Sequence, residues 1–277
     1  MSDAGTAAFV PGHVTGFFTV ERDPEDPTKA GSRGAGLTLS DGVTTTVRPS
    51  DETAVYLEDA SVDIESVERV LDALDVTATV LLETDLPLGS GFGVSGAAAL
   101  GTALAANREF NCKLSENELV TVAHGAEVQA GTGLGDVVAQ ARGGVPVRLE
   151  PGAPGHGRMD GLPYPVRVEY LALGELSTAD VLGGDTTAVT RAGEKALSRV
   201  VGEPTLASFV YASRAFARDA DLLTPQVREV VEDVSDADGE ASMAMLGETV
   251  FALGTGLTDA GYEPTVCRTY PAGATLR

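Results

Sequence analysis

The chain has 277 residues, with 41 Asp and Glu against 19 Lys and Arg, for a formal net charge of −22. A hydrophobic fraction of 43% is enough for a real core and excludes general disorder, while a polyanion of this density is a poor partner for nucleic-acid phosphates. No apolar run reaches the ~18 residues of a membrane span, the N-terminus lacks a secretory signal pattern, and Cys112 and Cys267 make neither a disulfide framework nor a CxxC metal pair. A soluble, cytoplasmic protein of one large domain or two modest ones is the expectation.

In chain order, residues 4–22 read as two short strands around Pro11-Gly12, and 23–33 as a Pro/Gly/charged loop. Strands are expected over 35–40 and 43–48, hinged at Asp41-Gly42, a hairpin signal. A further strand is predicted at 53–58, a helix at 61–74 and a strand at 76–84. A helix of small residues follows from 94 to 109. Ser115 and Glu118 form an S-x-x-E capping box that opens a helix to about 130. Its apolar stripe is Leu119, Val122, Ala123 and Ala126. A helical turn at 136–142 leads to a strand at 145–149. Residues 150–163 carry seven Gly or Pro and read as a linker or long surface loop. Beyond it lie a strand (165–173), helices near 186–200, 204–217 and 225–235, a helix or strand over 241–253, and a strand at 265–270.

The segment Pro87-Leu88-Gly89-Ser90-Gly91-Phe92-Gly93-Val94-Ser95-Gly96 carries the most information. Alternate glycines remove the Cβ atoms that would keep an anion away, and they permit positive φ, so consecutive N–H groups converge. The helix behind adds unsatisfied N–H groups and a partial positive charge. This is a phosphate cradle without a basic side chain. A Walker A loop needs G-K-S/T, and the chain has no Gly-Lys pair. The formal Gly91-x-Gly93-x-x-Gly96 fingerprint lacks the strand–helix–strand order of a dinucleotide fold. Ser95 sits in no proper nucleophile elbow, because position 97 is Ala. Downstream, His124 and Glu127 share a helix face, and Asp136 follows a glycine bend. Ser95 and Glu127 offer the hard oxygen ligands that Mg²⁺ takes, which leaves Asp136 to orient or deprotonate an attacking hydroxyl.

PLGSGFGVSGAA resembles the second motif of the GHMP kinase superfamily, P-x-G-x-G-L-G-S-S-A-A, with Phe92 for Leu and Val94 for the first Ser. FVPGHVTGFF (9–18) sits where the first motif, P-G-K/R-V, belongs, with His13 in the basic position. SMAMLGETVFAL (242–253) sits at the third, with Gly247 its one glycine. The resemblance implies an α+β, two-lobed GHMP-kinase-like fold with the active cleft between the lobes. The lobes would be an ATP-binding part, 1–155, and a C-terminal part, 156–277. It further implies ATP and Mg²⁺ as cofactors, Ser95 and Glu127 on the metal, Asp136 as catalytic base, and a homodimer. GSRGAG (31–36), AHGAEV (123–128) and TGLGD (132–136) narrow it to a branch whose acceptor is a small hydroxy acid. Ser32, Arg33, His124 and Arg148 are the candidates to hold such an acceptor, arginine by its bidentate grip on a carboxylate. His156 and the two cysteines are expected to take no part in the chemistry.

The charge carries a second message. Lysine occurs only at 29, 113 and 195, and the acidic residues are spread along the chain rather than gathered in a tail. This is the composition of a protein adapted to multimolar salt, where self-repulsion is screened within ~3 Å at 1 M. Far-UV circular dichroism should therefore show structure being lost as KCl falls from about 2 M toward dilute buffer. A full spectrum in dilute buffer would reject the halophilic reading.

Overall fold

A computed structural model describes residues 5–174 and 184–277. Its first sheet has eight strands. β12 (Thr275–Leu276), β1 (Thr6–Phe18), β2 (Gly34–Pro49), β5 (Ala78–Glu83), β3 (Ala54–Leu57) and β4 (Ala60–Ser61) lie side by side. β6 (Val145–Glu150) branches from β2 and carries β7 (Arg158–Leu162). The second sheet runs β11 (Thr265–Arg268), β8 (Arg167–Gly174), β10 (Glu248–Leu253), β9 (Glu240–Ala244). All pairings are antiparallel except β3 with β5.

Helix α2 (Val94–Phe110) packs on β1 and β2, flanked by α1 (Glu65–Ala73), α3 (Glu116–Ala130) and α4 (Asp136–Arg142). On the other side α5 (Thr187–Gly202) and α6 (Leu206–Asp219) pair with each other and lie against β1. α7 (Pro225–Asp236) covers β9 and β10, and α8 (Gly256–Asp259) is a single turn. No helix among the described residues is long and apolar enough to cross a membrane.

Several elements form for the local reasons expected. The capping box of α3 closes in both directions, the Ser115 side chain accepting from the Glu118 N–H and the Glu118 carboxylate accepting from the Ser115 N–H. Leu119, Ala123 and Ala126 are buried as the stripe predicts, with Val122 half-buried.

The two turn signals near the N-terminus are not turns. Pro11 faces Gly42 inside the long β1–β2 ladder, and the register jumps there from Pro11↔Gly42 to His13↔Thr38. Proline has no N–H to give the ladder, so it marks a bulge. Gly42 is needed because a Cβ would lie 2.3 Å from the Val10 carbonyl oxygen. The expected start of that strand at residue 4 lies outside the described residues. The 150–163 stretch is a hairpin rather than a linker, since residues 158–162 pair with β6. Residues 241–253 are two strands joined by a tight loop rather than one element.

That loop meets the glycine segment directly. A Cβ on Gly247 would lie 2.1 Å from the Ser90 carbonyl carbon and oxygen, and one on Gly91 would lie 2.9 Å from the Met245 carbonyl oxygen. Backbone faces backbone, so neither side yields cheaply. Gly247→Ala should therefore destabilise the fold by ~1–3 kcal/mol, the range for overpacking a tight contact. It should also weaken whatever the glycine segment binds. Thermal melts and a nucleotide titration measure the two effects.

Candidate active site

The glycine segment is held open by its carbonyls. The Ser90 carbonyl accepts from Thr249 Oγ1 (2.8 Å), Phe92 from the His13 N–H (2.9 Å) and Gly93 from Gln140 Nε2 (2.9 Å). The N–H groups of Gly91, Phe92 and Gly93 have no acceptor among the described residues. Gly89, Gly91 and Gly93 all have positive φ, from 62° to 86°, a conformation that side chains other than glycine's strain. Gly93 is the N-cap of α2 and offers no side chain to the cap, so the first turn of the helix is also unsatisfied.

These groups line a cleft of about 920 Å³. Gly89 and residues 91–96 form its floor, Ser90 is buried beneath, and Pro87 lies outside the lining. Glu127, Thr132 and Asp136 give it polar lining and Leu57, Val62, Ile64 and Leu88 apolar lining, with Met245 and Leu246 contributed by the β9–β10 loop. Residues from both halves of the chain thus bound the cleft.

Ser95 lies in the first turn of α2 and Glu127 in the last turn of α3. Their contact is Ser95 Oγ to Glu127 Oε1, 2.5 Å. Thr132 Oγ1 gives the same oxygen a second hydrogen bond (2.8 Å), and Ser66 Oγ from α1 lies 3.0 Å from Ser95 Oγ. Glu127 is buried and has no cationic partner among the described residues. Burial raises its pKa above the ordinary glutamate value, and the three hydroxyls only partly oppose this. A buried carboxylate ringed by hydroxyls and lacking a counter-charge is a hard-oxygen site suited to a divalent cation. No group of three or more His, Cys, Asp or Glu side chains forms a metal cluster among the described residues.

Asp136 opens α4. Its Oδ1 lies 2.7 Å from His13 Nδ1, and its side chain is 21% exposed toward the cleft. Burial works against its ionisation, but the His13 hydrogen bond, the field of that ring and the charge of Arg148 outweigh it, so its pKa sits below the usual aspartate value. Asp136 is therefore a carboxylate at neutral pH.

Behind Asp136 lie three of the four predicted acceptor-holding residues. Arg148 on β6 is 2% exposed, its Nε donates to the Ser32 carbonyl (3.3 Å), and its Nη1 is buried without a partner. Burial lowers its pKa and the Asp136 charge opposes the shift. A guanidinium nonetheless stays charged. His124 Nε2 donates to the Ala30 carbonyl (2.8 Å), and burial keeps its imidazole neutral. Gly135 lets Ser32 and Arg148 close in, since a Cβ there would lie 2.5 Å from Ser32 Oγ and 2.7 Å from Arg148 Nε. Arg33 stands apart. It forms ion pairs with Glu21 and Glu194, both at 2.9 Å, at a partly exposed surface.

Residues 63–144 match the family of GHMP kinases N terminal domains. The chain is 38% identical to the pantoate kinase of Thermococcus kodakarensis over 89% of its own length and 86% of the relative's. To the pantoate kinase of Methanocaldococcus jannaschii it is 33% identical, over 88% and 91%. The chain belongs to the pantoate kinase family. A solved phosphotransferase related to the CoA biosynthesis pathway superposes on it with a TM-score of 0.85, at 31% identity and 98% coverage of both chains. A homoserine kinase from Cytophaga hutchinsonii shares the fold, with a TM-score of 0.71 at 19% identity.

Ser66, Thr132 and Gln140 also touch the Ser95–Glu127 pair or the glycine segment, and the sequence does not mark them as site residues. Thr132 adjoins the TGLGD bend, so the bend itself was the available signal. Ser66 and Gln140 sit in helices with no local mark. Exposed ion pairs contribute ~1 kcal/mol or less, so Arg33→Ala should leave the melting temperature and acceptor KM nearly unchanged. A large rise in acceptor KM would return Arg33 to the site.

Proposed function

We propose that this protein transfers the γ-phosphoryl group of ATP to the primary hydroxyl of pantoate, giving 4-phosphopantoate for coenzyme A synthesis. The observation that carries the reading is the set of unpaired amides at Gly91, Phe92 and Gly93, facing the same cleft as Asp136 and the Ser95–Glu127 pair. Membership of the pantoate kinase family supports the choice of acceptor.

In this reading the phosphates lie over residues 89–96, and the base of ATP takes the apolar lining of Leu57, Val62, Ile64 and Leu88. Ser95 Oγ and Glu127 would hold Mg²⁺, which would supply positive charge against the phosphates. Arg148, with its free buried Nη1, takes the acceptor's carboxylate, while Ser32 and His124 hold its remaining polar groups. The primary hydroxyl oxygen attacks the γ-phosphorus, the bond to the bridging oxygen breaks, and ADP departs. The hydroxyl proton passes to Asp136, which is ionised and able to accept it. Positioning and electrostatics supply most of the acceleration. Residues 1–155 carry this machinery, and the 156–277 part closes one wall through Met245 and Leu246. The charge of −22 fits work in a salt-rich cytoplasm.

ADP release should appear with pantoate and stay near background with homoserine or mevalonate, assayed in about 2–3 M KCl to screen self-repulsion. Preference for either of the other alcohols would overturn the assignment. Asp136→Asn should lower kcat by ~10²–10⁴ with the KM values little changed. Arg148→Ala should raise the pantoate KM far more than the ATP KM, and an unchanged pantoate KM would remove Arg148 from the acceptor site.

A further inference from the structure

His13 occupies the basic position of the first motif, yet the structure does not make it a cation. It is fully buried on β1, with Nδ1 2.7 Å from Asp136 Oδ1. Thr15 Oγ1 is 3.4 Å from the same nitrogen, a much longer contact. An ionised carboxylate only accepts, so the hydrogen lies on Nδ1. Taking an imidazolium out of water is costly, and burial lowers the His13 pKa despite Asp136, with Arg148 acting in the same direction as burial. Nε2 therefore carries a bare lone pair. It is buried without a partner and pressed on Gly36, where a Cβ would lie 2.3 Å away. Leaving a buried acceptor unpaired is unfavourable, so the ring is not there for stability alone.

The main chain of the same residue has a second task. At the register shift between Pro11 and His13 the extra residues lie on β2, and the His13 N–H bonds the Phe92 carbonyl at 2.9 Å. One residue thus fastens both the glycine loop and the carboxylate. With Oδ1 engaged, Asp136 Oδ2 is left toward Gly133, where a Cβ would lie 3.3 Å from it and 2.4 Å from Glu127 Oε2.

We propose that His13 is a positioning residue for Asp136, a neutral imidazole whose Nδ1–H fixes Oδ1 and leaves Oδ2 to take the acceptor's proton. The inference rests on the reading of Asp136 as proton acceptor. It differs from a role for a first-motif cation, because the ring carries no charge and its effect passes through Asp136.

The chain has three histidines, so ¹⁵N-histidine NMR of the intact protein can resolve them. The His13 signal should show a protonated Nδ1 and a bare Nε2 at neutral pH, and a doubly protonated ring would overturn the proposal. In variants, His13→Leu should lower kcat by up to about a hundredfold, the cost of a misplaced reacting group, with the ATP and pantoate KM values little changed. His13→Asn places an amide N–H near the Nδ1 position and should recover most of the loss. His13→Gln places it near Nε2 and should not. The groups facing Asp136 are His13 from β1, Arg148 from β6, and His124 and Glu127 from α3. Only the first is altered, so loss of its hydrogen bond should move the acid limb of kcat/KM to higher pH in the leucine variant, and asparagine should move it back. Unchanged kcat in the leucine variant, or asparagine no better than glutamine, overturns the role. Should the leucine variant fail to fold, the asparagine–glutamine comparison and the NMR spectrum decide. Asp136→Asn, assayed alongside, separates the two readings. A full rate there refutes the proton acceptor itself, whereas a lost rate there with an intact leucine variant refutes only the positioning.

Discussion

Three carbonyls of the glycine loop are tied away from the cleft by three different elements: β10 through Thr249, β1 through the His13 amide, and α4 through Gln140. A peptide unit with its carbonyl fastened on one side presents its N–H on the other, so the free amides of Gly91 and Gly93 follow from the bonds to the Ser90 and Phe92 carbonyls. Glycine is needed here for conformation, since positive φ at alternate positions turns successive N–H groups the same way. It is needed at Gly247 for space, because the β9–β10 loop presses backbone to backbone on Ser90. The second sheet therefore shapes the loop as much as the helix behind it does.

The same economy governs charge. Among the described residues Arg148 is the one buried arginine or lysine, and it lies behind Asp136 rather than under the glycine loop. The loop offers dipoles, the hydroxyl cluster offers oxygens, and the one buried cation among the described residues stands behind Asp136. Both site histidines are held neutral by burial. The charge of Arg148 and the His13 hydrogen bond help lower the pKa of Asp136, whereas burial raises that of Glu127 against the opposing hydroxyl donors. Two acidic groups on one cleft are thereby pushed in opposite directions, as the proposed roles of proton acceptor and metal ligand would require.

Much of this was legible where the signal is local. The capping box at Ser115, the small-residue helix after Ser95 and the alternate glycines each act within a few residues, and each formed as read. The Pro11-Gly12 and Asp41-Gly42 pairs misled because turn residues also make bulges, and the choice depends on a partner strand some thirty residues away. Residues 150–163 looked like a linker because half of them are Gly or Pro, but pairing with β6 overrode that composition. The grouping of Ser95, Glu127 and Asp136 rests on their oxygen chemistry beside a phosphate loop, with the family likeness agreeing, since spacing alone does not bring 95 to 127. Arg33 and Arg148 were equal candidates on the page of sequence. What separates them is that Glu21 and Glu194 reach the first, while the second is enclosed behind Gly135.

The composition of α2 ties these threads together. Twelve of its residues are buried, most of them alanine or glycine, and a Cβ at Gly101 would lie 2.4 Å from Thr45 Oγ1 on β2. Glycine within a helix costs about 1 kcal/mol in propensity, so its presence there calls for a compensating contact. The compensation is a short distance between helix and sheet. β1, next to β2, carries His13, and the N-terminus of α2 carries Ser95 and the end of the glycine loop. A bulkier helix would stand further from the sheet and shift Ser95 relative to the His13–Asp136 pair. The small residues behind the loop thus set the gap between Ser95 and the His13–Asp136 pair, and this is a reason for an alanine-rich helix that neither its propensity nor its burial alone supplies.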